Sequence, residues 1–304
     1  MTAAGRGLDF RDMTEADLAE GLRLSRASGW NQTLEDWRLL LASGPGLFRV
    51  AVESGRVVAS GGAVRYGDAL AWICMILVEP ESRGRGLGTR IFDEVLRRCE
   101  AEQRAGRLRA IGLDATPAGR GLYLQHGFLE GSAPEIGGPF AGGPRLVRMR
   151  VEATASPGEA EGRVERLAGP DLEPVLARDL EVFGAERGFV LRYALEQAPG
   201  LAWLIRSEGR VAGYCFGRHG EHSDQVGPVV AEDADGALAL VRACLSPSRR
   251  RPLIVDARAD PGWLTALHGL GFREQRPLTR MYFGDAKPAA RPALEPAVFG
   301  PEFG

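Results

Sequence analysis

The chain is poor in the features that mark a membrane protein, a disulfide scaffold or a metal centre. No apolar run reaches the ~18 residues a transmembrane helix needs. There are four cysteines, Cys74, Cys99, Cys215 and Cys244. None is near another in sequence, so no Cys-x-x-Cys or Cys/His ligand spacing exists and no disulfide framework is expected. They read as buried thiols of a reducing cytoplasm. His219 and His222 with Asp224 form a loose cluster that reads as a polar hairpin loop, and no metal is expected. The first residues, Met1 to Gly7, lack the apolar core of a signal peptide. A cytoplasmic location is therefore expected. The formal net charge is −2, too small to attract nucleic acid or an anionic membrane as a partner. The short basic run Arg249-Arg250-Arg251 reads as a solvated loop.

What is present is apolar residue in quantity and a glycine-rich turn. The 304 residues are 44% hydrophobic and 26% charged, enough chain for two cores. Residues 83–88 read Arg-Gly-Arg-Gly-Leu-Gly, between the apolar run Ala71–Val78 and an amphipathic helix with Leu87, Ile91, Val95, Leu96 and Cys99 on one face. Glycines let the backbone turn and approach a ligand closely. A helix start offers unpaired N–H groups and the positive end of a dipole. With Arg83 and Arg85 beside it, the loop reads as a pyrophosphate cradle. It is no P-loop, because Thr89-Arg90 follows where Lys-Ser/Thr is required. The glycine register is also wrong for a dinucleotide fold.

The spacing Arg83-x-x-Gly86-x-Gly88 after a strand resembles the acyl-coenzyme A loop of the GNAT superfamily of N-acyltransferases. Leu122-Tyr-Leu-Gln-His-Gly-Phe128 resembles that superfamily's later motif, with strand Leu108–Leu113 between the two. The coarse order is a strand at Leu8–Arg11, a helix capped by Thr14 or Asp17 to about Ser28, and a helix from Thr33 through Leu41. A hairpin Phe48–Glu53/Arg56–Arg65 turns at Ser54-Gly55, then comes the strand to Val78. After the loop follow a helix to about Arg104, strand Leu108–Leu113, a helix around Gly119–His126, and strands near Phe128–Glu130 and Leu146–Val151. Val151–Gly162 has no apolar periodicity and reads as a linker.

The pattern then restarts. Strand Val164–Leu167, helix Asp171–Phe183, hairpin Leu201–Arg206/Arg210–Arg218, strand Gln225–Val230, helix Asp235–Cys244, strand Leu253–Asp256 and helix Trp263–Leu270 follow in order. Gly55-Arg56-Val57 is echoed by Gly209-Arg210-Val211, Gly127-Phe128 by Gly271-Phe272, and Arg148-Met149 by Arg280-Met281. The fold expected is α/β (α+β): two tandem GNAT-type domains, each a mixed, mostly antiparallel twisted sheet flanked by helices. Residues 1–152 form the motif-bearing domain, 153–162 the linker, 163–285 a degenerate domain and 286–304 a tail. The second half has Ala231-Glu232-Asp233-Ala234-Asp235-Gly236 where the glycine loop should be, and its carboxylates would repel phosphates. Leu267 stands where the later motif has tyrosine. Asp179–Arg187, Gly213-Tyr214, Val226-Gly227-Pro228, the terminal stretch, Gly29–Thr33 and Leu113–Gly119 are similar to a bacterial subgroup pairing an intact N-terminal domain with a divergent C-terminal one.

The resemblance implies attack of an amine on the thioester of acetyl-CoA, with a small-molecule amine as acceptor. Backbone N–H groups of Ile76, Leu77 and Val78 would position the pantetheine and thioester. Arg83, Gly84, Arg85, Gly86, Leu87, Gly88 and Thr89 would hold the pyrophosphate. Tyr123 matches the position that protonates the leaving thiolate, or else is a core tyrosine. The base some relatives carry falls at Trp72 and is absent. Asp114 could orient Thr116, bind the amine, relay a proton or cap the next helix. Glu79 and Glu81 read as solvated, and His126 as surface or packing. Trp30 and Asn31 would meet the acceptor, unless Trp30 merely packs on Trp37. Arg187, Tyr214, Arg218, His219, Asp256 and Trp263 could line a cleft. Two alternatives stand beside the acetyltransferase: a mycothiol-synthase-like enzyme, and an acyl-CoA-binding regulatory protein without turnover. A homodimer is left open.

Overall fold

The computed structural model describes residues 7–131, 139–140, 143–152, 163–245 and 251–304. The expected linker 153–162 and two of the three residues of the basic run, Arg249 and Arg250, lie outside them. By contact density the chain divides into 1–111 and 112–304.

The first unit runs β1 (Leu8–Asp12), α1 (Leu18–Ala27), α2 (Leu34–Ser43), β2 (Arg49–Glu53), β3 (Arg56–Tyr66), β4 (Leu70–Val78) and α3 (Leu87–Arg104). Strands β1 to β4 pair in sequence order, all antiparallel. Ser54 and Gly55 both take positive φ, 52° and 79°, the geometry a two-residue hairpin turn with primed twist demands. Thr33 and Asp36 cap α2 reciprocally, with Asp36 N–H donating to Thr33 Oγ1 at 3.2 Å and Thr33 N–H to Asp36 at 2.7 Å. Strands β3 and β4 are buried along nearly their whole length, because α1 and α2 pack on β3 and α3 packs on both. A strand covered on both faces reads as a continuous apolar run, which is why Leu70–Val78 shows no alternation.

The second unit begins inside β5 (Ala110–Ala115), which runs across the boundary. It continues with α4 (Pro117–Gln125), β6 (Phe128–Glu130), β7 (Arg145–Val151), β8 (Val164–Arg166), α5 (Leu172–Phe183), α6 (Gly188–Gln197), β9 (Trp203–Ser207) and β10 (Arg210–His219). Then come β11 (Asp224–Ala231), α7 (Ala234–Cys244), β12 (Leu253–Arg258), α8 (Pro261–Gly269), β13 (Arg273–Phe283) and β14 (Ala297–Val298). The strand order is β5-β13-β7-β12-β14-β11-β10-β9-β8, with β6 also on β13. Glu208-Gly209 repeats the positive-φ hairpin turn, at 51° and 76°.

Three features go beyond the sequence reading. Helix α6 has no counterpart in it. Strand β13 crosses between β5 and β7, so residues 112–152 pack with the rear half of the chain. Residues 292–304, assigned only to a tail, are nearly all buried.

Candidate functional site

The glycine loop is built from the end of β4 outward. Glu79 N–H closes on Val58 O at 2.9 Å and a single 3-10 turn, Pro80–Ser82, reverses the chain. Gly84 and Gly86 both take φ +76°, and a Cβ built on either meets nothing within 4 Å. The glycines are required by backbone conformation, not by crowding, and the space over the loop is open. Gly86 (φ 76°, ψ 6°) stands at the N-cap of α3 without a side-chain cap, and the first helical turn carries no acidic residue. The bond from Arg90 N–H to Gly86 O, 3.0 Å, is an i→i−4 bond at the helix start. The amides of Leu87, Gly88 and Thr89 therefore precede the helical ladder, at the positive end of the dipole.

Side chains around the loop hold its shape. Arg83 Nε donates to Val78 O at 3.3 Å. Arg85 makes a two-pronged contact with Glu53 at 2.9 and 2.8 Å, which raises its pKa. Arg90 lies over the Phe10 ring at 3.6 Å. Glu79 differs from the sequence reading. It is buried and receives both Arg23 and Arg56 at 2.6 Å. A carboxylate seven residues before Gly86 looks solvated in sequence, since both its partners are remote. Glu81 is exposed, as read.

Strand β4 carries a bulge. Met75 takes φ +57° and its carbonyl accepts from Ser60 Oγ at 3.1 Å, where the β3–β4 register shifts. With the Glu79 amide bonded to β3, strand alternation turns the Leu77 amide to β3 too. The amides of Ile76 and Val78 then face away from β3, on the side where β5 follows β4 in the sheet. In the α1–α2 connection Trp30 is half-buried and Asn31 buried. Trp37 is the fully buried tryptophan there, its indole N–H on Ser25 Oγ at 3.0 Å. Gln32 is buried with its Oε1 unpartnered among the described residues. A polar carbonyl sealed without a donor is costly, and the sequence reading passed over it.

In the second unit, Asp114 forms a two-pronged pair with Arg280, at 3.0 and 2.8 Å, and its side chain is fully buried. Burial pushes the Asp114 carboxyl up against the opposing pull of Arg280, and Asp114 in turn holds the guanidinium charged. Of the roles open to Asp114 in sequence, capping the next helix falls to Thr116, whose Oγ1 accepts from Gly119 N–H at 3.3 Å. Tyr123 is buried on α4 and its ring lies over Gly119. A Cβ there would sit 3.0 Å from Cε2 and 3.2 Å from the hydroxyl. The phenol thus points back toward the N-terminal turn of its helix, as helical side chains do. His126 Nδ1 pairs with Leu122 O at 2.8 Å.

The rear counterpart of the glycine loop is closed. Asp233 caps α7 by accepting from Gly236 N–H at 2.5 Å, and Asp235 adds a second carboxylate to the first turn. Arg187, Tyr214, Arg218, Asp256 and Trp263 line no open cleft; all are at most 2% exposed. Tyr214 donates to Asp179 at 2.5 Å, and burial pushes its phenol up. Arg187 pairs with Asp179 at 2.7 Å, and Asp256 receives Arg148 at 2.7 Å and Gln225 at 2.7 Å. His219 sits more openly, its Nδ1 on Asp224 at 2.9 Å. Among the described residues no group of His, Cys, Asp and Glu could hold a metal ion, and no helix is long and apolar enough to cross a membrane.

Comparison with known proteins agrees with this arrangement. Residues 12–128 match the acetyltransferase (GNAT) family and residues 175–294 an acetyltransferase (GNAT) domain. The chain is 26% identical over 230 residues to a holothin acyltransferase from Pseudoalteromonas sp. (strain SANK 73390), covering 75% of this chain and 71% of that one. A putative acetyltransferase from Pyrococcus horikoshii superposes with a TM-score of 0.74 at 20% identity, covering 98% of this chain and 96% of the other. A tandem GNAT protein from the clavulanic acid biosynthesis pathway superposes with a TM-score of 0.59 at 15% identity, over 91% and 98% of the two chains. The chain belongs to the GNAT acetyltransferase family and carries two GNAT domains in tandem.

Proposed function

We propose that the protein is an acetyl-CoA-dependent N-acetyltransferase of the cytoplasm that acylates the amine of a small molecule, with the coenzyme held by the front domain. The uncapped start of α3 carries this reading. Its amides, two positive-φ glycines and three nearby arginines suit a diphosphate, whereas the rear helix is capped by its own aspartate. The amides of Leu87, Gly88 and Thr89 bind the diphosphate, and those of Ile76 and Val78 pair with the amide-bearing arm as a further strand would. One of these strand amides polarises the thioester carbonyl as it becomes an oxyanion.

The amine nitrogen attacks the thioester carbon, and the carbon–sulfur bond breaks. Tyr123 donates its phenolic proton to the departing thiolate, the amine nitrogen releases its proton to solvent water, and water returns a proton to the Tyr123 phenolate. Asp114 is committed to Arg280, so no proton transfer from the amine is assigned to it. Trp30 and Asn31 contact the acceptor. Calorimetric titration with acetyl-CoA, followed by thiol release over a panel of amines, tests the reading. Binding with turnover on at least one amine is expected. Binding without turnover on any amine would leave a coenzyme-binding protein and remove the enzymatic reading.

A further inference from the structure

Strands β11 and β12 are parallel neighbours only over Asp224–Val226 and Leu253–Val255. Beyond that point they diverge, and β14 lies between them, antiparallel to both. Ala297 pairs with Val229 on one side, and Ala297 and Val298 pair with Ala257 and Asp256 on the other. Arg258 N–H adds a bond to Pro296 O at 2.8 Å. The approach is close. A Cβ on Gly227 would lie 2.0 Å from Val298 O, so only glycine lets this segment in at that height. In chain order β11 and β12 are the rear equivalents of β4 and β5. The place where the proposed coenzyme arm would lie in the front domain is, in the rear domain, already filled by a strand.

Charge complements the backbone fit. Glu295 takes Arg187 on one oxygen at 2.9 Å and Arg258 on the other at 3.0 Å, and Arg258 Nε also donates to the Glu295 carbonyl at 2.7 Å. Glu302 pairs with Arg218, whose guanidinium also faces the Phe299 and Phe303 rings. Each of these five ionic side chains is at most 3% exposed. A guanidinium buried at this depth needs an anion beside it, and segment 292–304 brings two.

We propose that the rear domain keeps a strand-binding cleft whose resident ligand is the chain's own segment 292–304, recognised by the carboxylates of Glu295 and Glu302. The segment excludes other occupants from the divergence of β11 and β12, including a coenzyme arm. The inference stands independently of what the front domain binds.

The test uses the full chain with a specific protease site inserted between the exposed Asp285 and the half-buried Ala286, cut after folding. The cut segment should stay bound through gel filtration and keep its amide protection at residues 297 and 298. It should exchange with added labelled peptide 286–304, while a peptide carrying Glu302→Gln competes at least tenfold less well. Saturating acetyl-CoA should not displace the label. The proposal fails if the cut segment leaves with no fall in Tm. It also fails if the Glu302→Gln peptide competes equally, or if acetyl-CoA releases the segment.

Discussion

Gly86 is the position where backbone conformation and the proposed coenzyme site can be separated by experiment. It sits at φ +76° with open space where a side chain would go, so Gly86→Ala meets no clash. The cost is that of holding an L-residue left-handed, about 1–2 kcal/mol. If the loop keeps its shape, stability falls by that amount. If the loop relaxes to escape it, the amides of Leu87 and Gly88 turn away and the same free energy appears in acetyl-CoA affinity, about a 5- to 30-fold weakening. Asn tolerates the left-handed region far better, so Gly86→Asn should recover most of both losses. Gly88 lies inside α3 with ordinary backbone angles, its Cβ position 3.2 Å from Val78 Cγ2. Gly88→Ala should therefore hold or raise Tm, since alanine favours a helix by about 1 kcal/mol over glycine. It should still weaken binding if the diphosphate lies against this backbone. Calorimetric titration with acetyl-CoA and thermal melts on the three variants give the two axes. An unchanged Kd in Gly86→Ala, or Asn as damaging as Ala, would refute the reasoning.

Other perturbations follow from the geometry of named side chains. Gly119→Ala places a methyl 3.0 Å from Tyr123 Cε2 and 3.2 Å from its hydroxyl; turnover should drop as in Tyr123→Phe with acetyl-CoA affinity intact, and full activity in both variants would remove Tyr123 as the acid. Asp17 accepts two bonds from Arg11 at 2.7 Å and one from the Thr14 amide at 2.9 Å, which hold its carboxyl below the ordinary value of 3.8. That stability is present above about pH 4 and is lost as pH falls through the lowered folded pKa. Asp17→Asn should thus cost about 1 kcal/mol at neutral pH, and the Tm gap to the parent protein should close on acidification; a gap that widens in acid contradicts the assignment. Burial pushes the Cys99 thiol up to about 12, and all four cysteines are buried. Aromatic disulfide reagents should therefore label the protein at the rate of unfolding, and rapid labelling of Cys99 in native buffer would contradict its burial.

Local pattern was enough for most of the elements and their order, α6, β13 and β14 excepted, and for the glycine turns of the front loop. An apolar run bounded by a glycine turn and an amphipathic helix can fold in few ways, and Gly84 and Gly86 announce their positive φ because few other residues accept it. The repeat was legible for the same reason, since Ser54-Gly55 and Glu208-Gly209 make the same turn. What tertiary structure decided lies in pairings between residues far apart in sequence. Arg280 commits Asp114 across 166 positions. Glu79 becomes buried because Arg23 and Arg56 converge on it. Segment 292–304 reads as a proline-bearing tail, yet Ala297–Val298 becomes a strand because β11 and β12 diverge there, and its two glutamates reach the buried Arg187, Arg258 and Arg218. A sequence carries its periodicities and turn residues in order along the chain. A buried ion pair exists only once folding has removed water from both partners, and nothing local to either residue records where the other will be.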